Sequence, residues 1–264
     1  MKRLKLKFLL LSAILAFAAP EIVVADSIVS GPLPNIHGKS LSTPIGWGAA
    51  YGTVFAGAGG TIPGPYSNNA DGAIGVGIGI GNPKKHVGFE ATLISLDLSD
   101  WKRYSANMKL HRYLGCGSSV AAGVENVLLG STSRKLTDAE ESYYVVFSQG
   151  VQDQRFIDDD TNTSNLHYSI GIGNGRFWKK SPDDVAHGKG KHGTAVFGNV
   201  AYELFDEFNG IVEWTGMNLD AGVSKTFMLG KQSALVASMG VGDLTGYTGD
   251  GARFIWSIGA GIMF

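Results

Sequence analysis

Residues 72–81 read GAIGVGIGIG, and the alternation within them decides the fold. Isoleucine or valine occupies every second position from Ile74 to Ile80, and glycine fills the positions between them. Because side chains two residues apart share one face of a β-strand, this segment has one apolar face and one bare face. The same arrangement recurs in residues 166–175 (LHYSIGIGNG) and 253–264 (RFIWSIGAGIMF).

The environment of the apolar face determines the fold class. In a soluble sandwich the second face is rich in Lys, Glu and Thr. Here the second face is mostly glycine and serine, the chain has 38 glycines in 264 residues, and only 17% of the residues are charged. A lipid bilayer accepts a uniformly apolar exterior, provided that the inside is polar or small. We therefore predict a transmembrane antiparallel β-barrel, with a secreted β-sandwich or a soluble barrel as the alternative.

The alternation predicts about twelve strands, and the last one ends at Phe264. Because the connection at 152–164 is long, a barrel of ten or fourteen strands remains an alternative. Short turns fall on one side of the sheet, and the long polar segments 58–71, 130–141 and 176–193 fall on the other, as in outer-membrane barrels. The predicted strands are 46–57, 72–81, 86–97, 104–114, 119–129, 142–151, 165–175, 194–205, 208–215, 218–228, 233–242 and 252–264.

Aromatic residues lie near the ends of these segments, at the level that amphipathic rings prefer in a membrane. The exposed face also carries Arg112, beside a turn where its charged head reaches water. The aromatic residues are Trp47, Tyr104, Tyr143, Trp214, Phe227, Phe254 and Phe264.

The first 25 residues have the pattern of a secretory signal peptide. Four basic residues precede an apolar stretch of 12 residues (8–19), and Val23-Val24-Ala25 forms a small-residue exit. Twelve apolar residues are too few to span about 30 Å of hydrocarbon at about 1.5 Å per residue. We predict cleavage after Ala25, export through the secretory pathway, an N-terminal tail or lumen segment at 26–45, and a barrel over 46–264.

Composition excludes several classes. The single cysteine, Cys116, rules out an intrachain disulfide framework and a four-cysteine zinc site. The net charge of −1 becomes more negative once the basic leader is removed, which argues against a nucleic-acid partner. We expect no cofactor and no metal.

The last strand resembles the C-terminal signature of bacterial outer-membrane β-barrel proteins. Apolar residues at alternate positions end in an aromatic residue: Phe254, Trp256, Ile258, Ala260, Ile262 and Phe264. The resemblance implies location in the cell outer membrane, contact with outer-membrane lipid, and recognition of Phe264 by the barrel-assembly machinery. Residues 213–223 (EWTGMNLDAGV) are similar to hairpins of poorly characterised Gram-negative and cyanobacterial envelope barrels, and this likeness implies no chemistry.

Polar residues at inward parity are the candidate site. Such charges are either paired within a plugged barrel or hydrated along a channel. Inward glycines favour open volume, which residues 26–45 fill if they enter the lumen; otherwise they form a periplasmic tail. The candidate lumen-lining residues are Glu90, Lys109, His111, Glu125, His167, Ser169, Glu203, Glu213, Asp220 and Arg253.

Three further motifs give weaker indications of a chemical function. His167 and Ser169 have the His-x-Ser spacing of outer-membrane lipid hydrolases, but they point inward, whereas that chemistry needs them toward lipid. Residues 158–162 (DDDTN) offer oxygen ligands for calcium without the glycine or the bidentate glutamate of an EF-hand. His187 and His192 lie in a glycine-rich basic loop without a third ligand in register.

These features lead to one main functional hypothesis. It is a porin-like passive channel for small solutes, or a general envelope component, without covalent chemistry. The alternatives are a structural or surface-interaction barrel that uses its extracellular loops, and a hydrolase acting in the lumen or on lipid.

Overall fold

The computed structural model describes residues 33–34, 36–96, 103–129, 140–230 and 232–264. The proposed signal peptide, residues 26–32 and the outer segment 130–139 lie outside them. Twelve strands form one closed antiparallel barrel. They are β1 Thr53–Ile62, β2 Asp71–Gly81, β3 Gly88–Ser95, β4 Tyr104–Gly115, β5 Ser118–Leu129, β6 Ser142–Gly150, β7 Leu166–Gly173, β8 Val196–Phe205, β9 Phe208–Trp214, β10 Leu219–Met228, β11 Ser233–Gly242 and β12 Arg253–Met263.

Pairing of the first strand with the last closes the barrel. Strand β12 runs antiparallel to β1, from Phe254 opposite Ile62 to Met263 opposite Thr53. Every strand therefore has two neighbours and no edge is left unpaired, which is the condition for β-structure in a bilayer. The twelve-strand prediction is confirmed. The first predicted segment, 46–57, is wrong, because the strand begins only at Thr53.

The two faces of the wall differ as the alternation predicts. In β2, Ile78 and Ile80 are exposed, while Ala73 and Gly77 are buried. The exposed side chains of the other strands are also mainly branched or aromatic, whereas the inward ones are mainly serine, threonine, asparagine, glycine or charged. The exterior is therefore suited to acyl chains and the interior to water or polar chain.

The two ends of the barrel carry different connections. At the turn end, where β1 begins and β12 ends, the connections are mostly short. Cys116 and Gly117, for example, both take positive φ (50° and 75°) in a two-residue hairpin turn. At the loop end, residues 174–195 form the longest connection that is described completely. It includes the 3₁₀-helix Gly175–Phe177 and the short helix α1, Pro182–Ala186.

A small sheet lies at the turn end. Leu33–Pro34 pairs in parallel with Thr163–Ser164, which pairs antiparallel with Ile157–Asp158. The long connection at 152–164 thus holds the chain just before it enters the barrel. Among the described residues, no helix is long and apolar enough to cross a membrane.

The exposed aromatic side chains include Tyr143, Phe227, Phe254 and Phe264, and Arg112 is exposed as well. Trp47 is a correction to the sequence analysis. Instead of lying near lipid at a strand end, it is buried inside the barrel.

Candidate functional site

The structure places the ten predicted lumen residues on the inner side of the wall. Eight of them are buried, and the side chains of Glu203 and Arg253 retain 12% and 17% exposure. Their placement follows from strand parity alone. The sequence could not show what each of them contacts.

Residues 36–50 run through the lumen, and we call this segment the plug. All but Gly38 and Ala50 are buried. The plug enters at the turn end beside Ser224, reaches its apex near Ser42 and Thr43, and returns to the turn end before β1. It therefore lies inside the barrel as a loop whose two limbs meet different strands.

Glu213 of β9 holds the apex of the plug. Its carboxylate accepts hydrogen bonds from the backbone nitrogens of Leu41 at 3.0 Å and Thr43 at 3.4 Å. The hydroxyls of Ser40 and Thr43 donate at 3.0 and 3.1 Å, and the hydroxyl of Ser42 donates to the other oxygen. A fully buried carboxylate needs such donors, because burial removes the water that would otherwise hydrogen-bond to its oxygens.

Lys39 anchors the entering limb. Its ammonium group lies 3.1 Å from the carboxylate of Glu203 and 2.5 Å from the side-chain oxygen of Asn209. The lysine is almost completely buried, so the ion pair compensates a charge that solvent cannot reach.

The returning limb bonds to the opposite wall through its backbone. The carbonyl of Trp47 accepts from Lys109 at 2.7 Å, and the nitrogen of Ala49 donates to Glu90 at 2.9 Å. The ring of His111 lies 3.1 Å from the carbonyl of Ala49. Lys109 and Glu90 are 3.6 Å apart, so the plug completes a buried network around this ion pair.

Glycine permits the close fit of the returning limb. A Cβ atom on Gly46 would lie 2.6 Å from the backbone oxygen of Ser119, a distance that only a shift of the backbone could relieve. A Cβ on Gly79 of the wall would meet the backbone of Ala49 and Ala50 at 2.3–2.7 Å. Inward glycines therefore make room for the plug and do not leave an open bore.

Apolar contacts supplement these bonds. Leu41 packs with Ala201 and Ile211, and Ile36, Ile45 and Trp47 form a second cluster against Tyr113. The rings of Trp47 and His167 meet in a T-shaped arrangement, with ring centroids 5.6 Å apart.

Residues 174–195 close the loop end, and we call this segment the lid. Asp184 of the lid is buried, and its carboxylate accepts from the hydroxyl of Tyr66 at 2.9 Å and the nitrogen of Gly249 at 2.7 Å. Burial, followed by the bond to Asp184, raises the pKa of Tyr66 above its usual value, so the hydroxyl stays protonated. The lid is thus fixed to the two connections that flank β1 and β12, across the mouth from its own strands.

The base of the lid enters the lumen. Phe177 is completely buried and stacks on Phe197, with ring centroids 4.2 Å apart, beside Tyr144. Arg176 donates to Glu125 at 2.6 and 3.3 Å and to the carbonyl of Ser42 at 3.0 Å. Lid and plug are therefore in direct contact.

The remaining motifs are placed as follows. Ser169 lies 2.7 Å from the hydroxyl of Ser148, both ring nitrogens of His167 are buried without a hydrogen bond, and the plug covers this region. Asp158 accepts from the nitrogens of Asp160 and Thr161 within its own turn. His187 stacks on Tyr66 and His192 on Trp178, and no group of three potential metal ligands occurs in the described part of the chain.

Sequence reasoning missed the residues that close the barrel: Lys39, Ser40, Ser42, Thr43, Arg176 and Asp184. One signal was available in residues 37–48 (HGKSLSTPIGWG). Short hydroxyl side chains and glycines surround one lysine there, and Thr43 and Pro44 interrupt the apolar alternation that a lipid-facing strand requires.

No protein-family model matches the chain, and no curated protein sequence matches it. Solved structures with a similar outline include the KdgM porin, with 10% identity, a TM-score of 0.48, and coverage of 80% of this chain and 99% of that one. The NanC porin has 11% identity, a TM-score of 0.46 and coverage of 80% and 99%. Outer membrane phospholipase A from Escherichia coli has 10% identity, a TM-score of 0.42 and coverage of 81% and 97%.

The closed wall, its apolar exterior and its polar interior define the class of protein. It is a transmembrane β-barrel of the outer-membrane type. Its lumen is occupied by residues 36–50 of the same chain.

Proposed function

We propose that this protein is a porin-like passive channel of the outer membrane that its own plug and lid keep closed. One observation carries the proposal. Residues 36–50 fill the lumen mainly through hydrogen bonds and ion pairs with polar wall groups, and water can replace these partners when the segment leaves. A barrel that served only as a scaffold would not need polar side chains on the inner face of the wall that the plug covers.

The route to the membrane is part of the same proposal. The leader at 1–25 directs secretion, the apolar exterior contacts outer-membrane lipid, and Phe264 is read by the barrel-assembly machinery. Small solutes are the passing ligands, and no chemical step is involved.

Planar-bilayer recording of the refolded full chain tests the channel. The native chain should be silent or nearly so. Gly46→Leu should open it, because no side chain fits between Gly46 and the backbone of Ser119. Gly230→Leu is the matched control, since a Cβ at that position meets nothing within 4 Å.

The lid provides a second closure, so Gly46→Leu is also combined with Asp184→Ala, which removes the acceptor for Tyr66 and Gly249. We expect conductance to increase in the double variant. Heat-modifiable migration in SDS verifies that each variant is a folded barrel. A folded double variant that remains silent would contradict the channel.

The lid favours a second candidate function, that of a surface-interaction barrel. Lys191, His192 and Trp178 are exposed on it, and His192 stacks on Trp178. Replacing residues 187–191 by a Gly-Ser linker keeps Arg176, Phe177 and Asp184 in place. Reduced adherence of expressing cells with an unchanged folded barrel would support this candidate, and equal adherence would oppose it.

A further inference from the structure

The strand wall carries an excess of acidic groups toward the lumen. At inward parity the twelve strands hold six carboxylates and two basic groups. The carboxylates are Asp71, Glu90, Glu125, Glu203, Glu213 and Asp220, and the basic groups are Lys109 and Arg253.

The closing segments compensate this excess. The plug contributes the ammonium group of Lys39 to Glu203 and five hydrogen-bond donors to Glu213. The lid contributes the guanidinium of Arg176 to Glu125. When the plug leaves, its lysine and its donors leave with it, whereas the carboxylates stay on the wall.

Two of these carboxylates face each other on neighbouring strands. Glu213 of β9 is the direct partner of Asp220 of β10 in the antiparallel register, and both are buried on the inner face. Like charges directly opposite in a sheet destabilise each other, so such a pair needs compensation. Asp220 accepts from the nitrogen of Asp243 at 2.9 Å, while Glu213 depends on the plug.

Two further lysines of the lid and the two basic groups of the strand wall offset this excess only in part. Lys180 and Lys189 of the lid donate to the carbonyls of Tyr247 and Gly246 at the loop end. Arg253 pairs with Asp243, and Lys109 pairs with Glu90. None of these basic groups is bonded to Glu213 among the described residues.

We infer that the channel, once its plug is displaced, selects cations over anions and passes small cationic or neutral solutes in preference to anionic ones. The inference rests on the proposed function and adds its solute class. Fixed carboxylates inside a low-dielectric wall raise the local concentration of cations and lower that of anions.

The experiment measures the reversal potential of the full-length Gly46→Leu, Asp184→Ala variant across a potassium chloride gradient. We expect a potassium-to-chloride permeability ratio of about two or more near 0.1 M salt, where the screening length is about 10 Å. Near 1 M salt, where the screening length is about 3 Å, the ratio should approach one.

Substitutions in that background attribute the preference to the wall. Glu213→Gln together with Asp220→Asn should lower the ratio toward one, and Glu213→Asp with Asp220→Glu, which keeps both charges, should restore it. A ratio of one or below in a conducting, folded channel would overturn the solute class and leave the channel standing. The absence of conductance would overturn the channel itself, and the solute class with it.

Discussion

Arg176 and Glu125 are 51 residues apart in the chain and meet inside the lumen, where Nε of the arginine lies 2.6 Å from a carboxylate oxygen of the glutamate. The same guanidinium donates to the carbonyl of Ser42 in the plug at 3.0 Å. One side chain thus joins the lid, the wall and the plug. Loosening either closing segment should therefore weaken the other.

Arg176→Met should destabilise the barrel by about 3 kcal/mol, because it leaves the carboxylate of Glu125 buried without its partner. The temperature at which the band shifts in heated SDS samples measures the effect. Arg176→Met combined with Glu125→Gln should lose less than Arg176→Met alone. Equal losses in the two variants would show that the ion pair does not hold the segments together.

Tyr66→Phe should loosen the lid by about 1 kcal/mol, the usual net value of one hydrogen bond. Hydrogen exchange of residues 182–190 should accelerate, with no change at the strands. Asn69→Ala in the same connection is the control, because the Asn69 side chain is exposed and makes no contact with Asp184 among the bonds described.

The lid should also respond to alkaline pH in a defined direction. Since the pKa of Tyr66 is raised, its hydroxyl keeps its proton up to its ordinary value near 10 and beyond it. The contribution of the Tyr66–Asp184 hydrogen bond to the stability of the lid is therefore complete below pH 10, and it is lost as the pH rises through the raised pKa of Tyr66 in the folded protein. Lid exchange rates, corrected for the intrinsic effect of pH, should be flat from pH 6 to 9, and Tyr66→Phe should remove any further alkaline change.

The single cysteine reports the orientation of the barrel. Cys116 is exposed in a hairpin turn at the turn end, and we expect this end to face the periplasm because outer-membrane barrels have their short turns on that side. A membrane-impermeant maleimide should not label it in intact cells and should label it after the outer membrane is permeabilised. Cys116→Ser with Lys191→Cys should label in intact cells, and the reverse pattern would invert the assignment.

Phe264→Ala should reduce assembly without reducing stability. The side chain is 80% exposed, so its truncation removes little packing, and the stability of refolded protein should stay within about 0.5 kcal/mol. In cells, the amount of heat-modifiable barrel in the outer-membrane fraction should fall, and Phe264→Trp should retain it. A normal amount of Phe264→Ala barrel would remove the proposed role in recognition.

The alternation of residues such as Ile74 to Ile80 predicted the wall, because a bilayer outside and a polar lumen inside impose the strict period of two. Parity likewise predicted that Glu213 and Glu90 face inward. Eleven of the twelve strands lie close to the predicted positions, since their turns are marked by glycine and polar residues.

The sequence leaves entry of residues 26–45 into the lumen open as one of two alternatives. Its alternation assigns residues 46–52 to the first strand, however, and could not show the contacts of the plug, for a physical reason. The apolar alternation in residues 46–49 is that of a strand. In an extended chain inside a lumen, however, alternate side chains face two different parts of the barrel wall and not lipid on one side and water on the other. The donors for Glu213 lie about 170 residues earlier in the chain. Local periodicity carries no information about a contact over that separation.

Both ends of the plug are attached at the turn end of the barrel. Leu33–Pro34 pairs with Thr163–Ser164 before it, and β1 begins at Thr53 after it. An opening movement therefore needs no free chain end to be withdrawn: the segment can fold outward and swing back as a tethered blocker. Such a blocker competes at the fixed local concentration set by its own tether, so reclosure should be independent of how many copies the membrane contains.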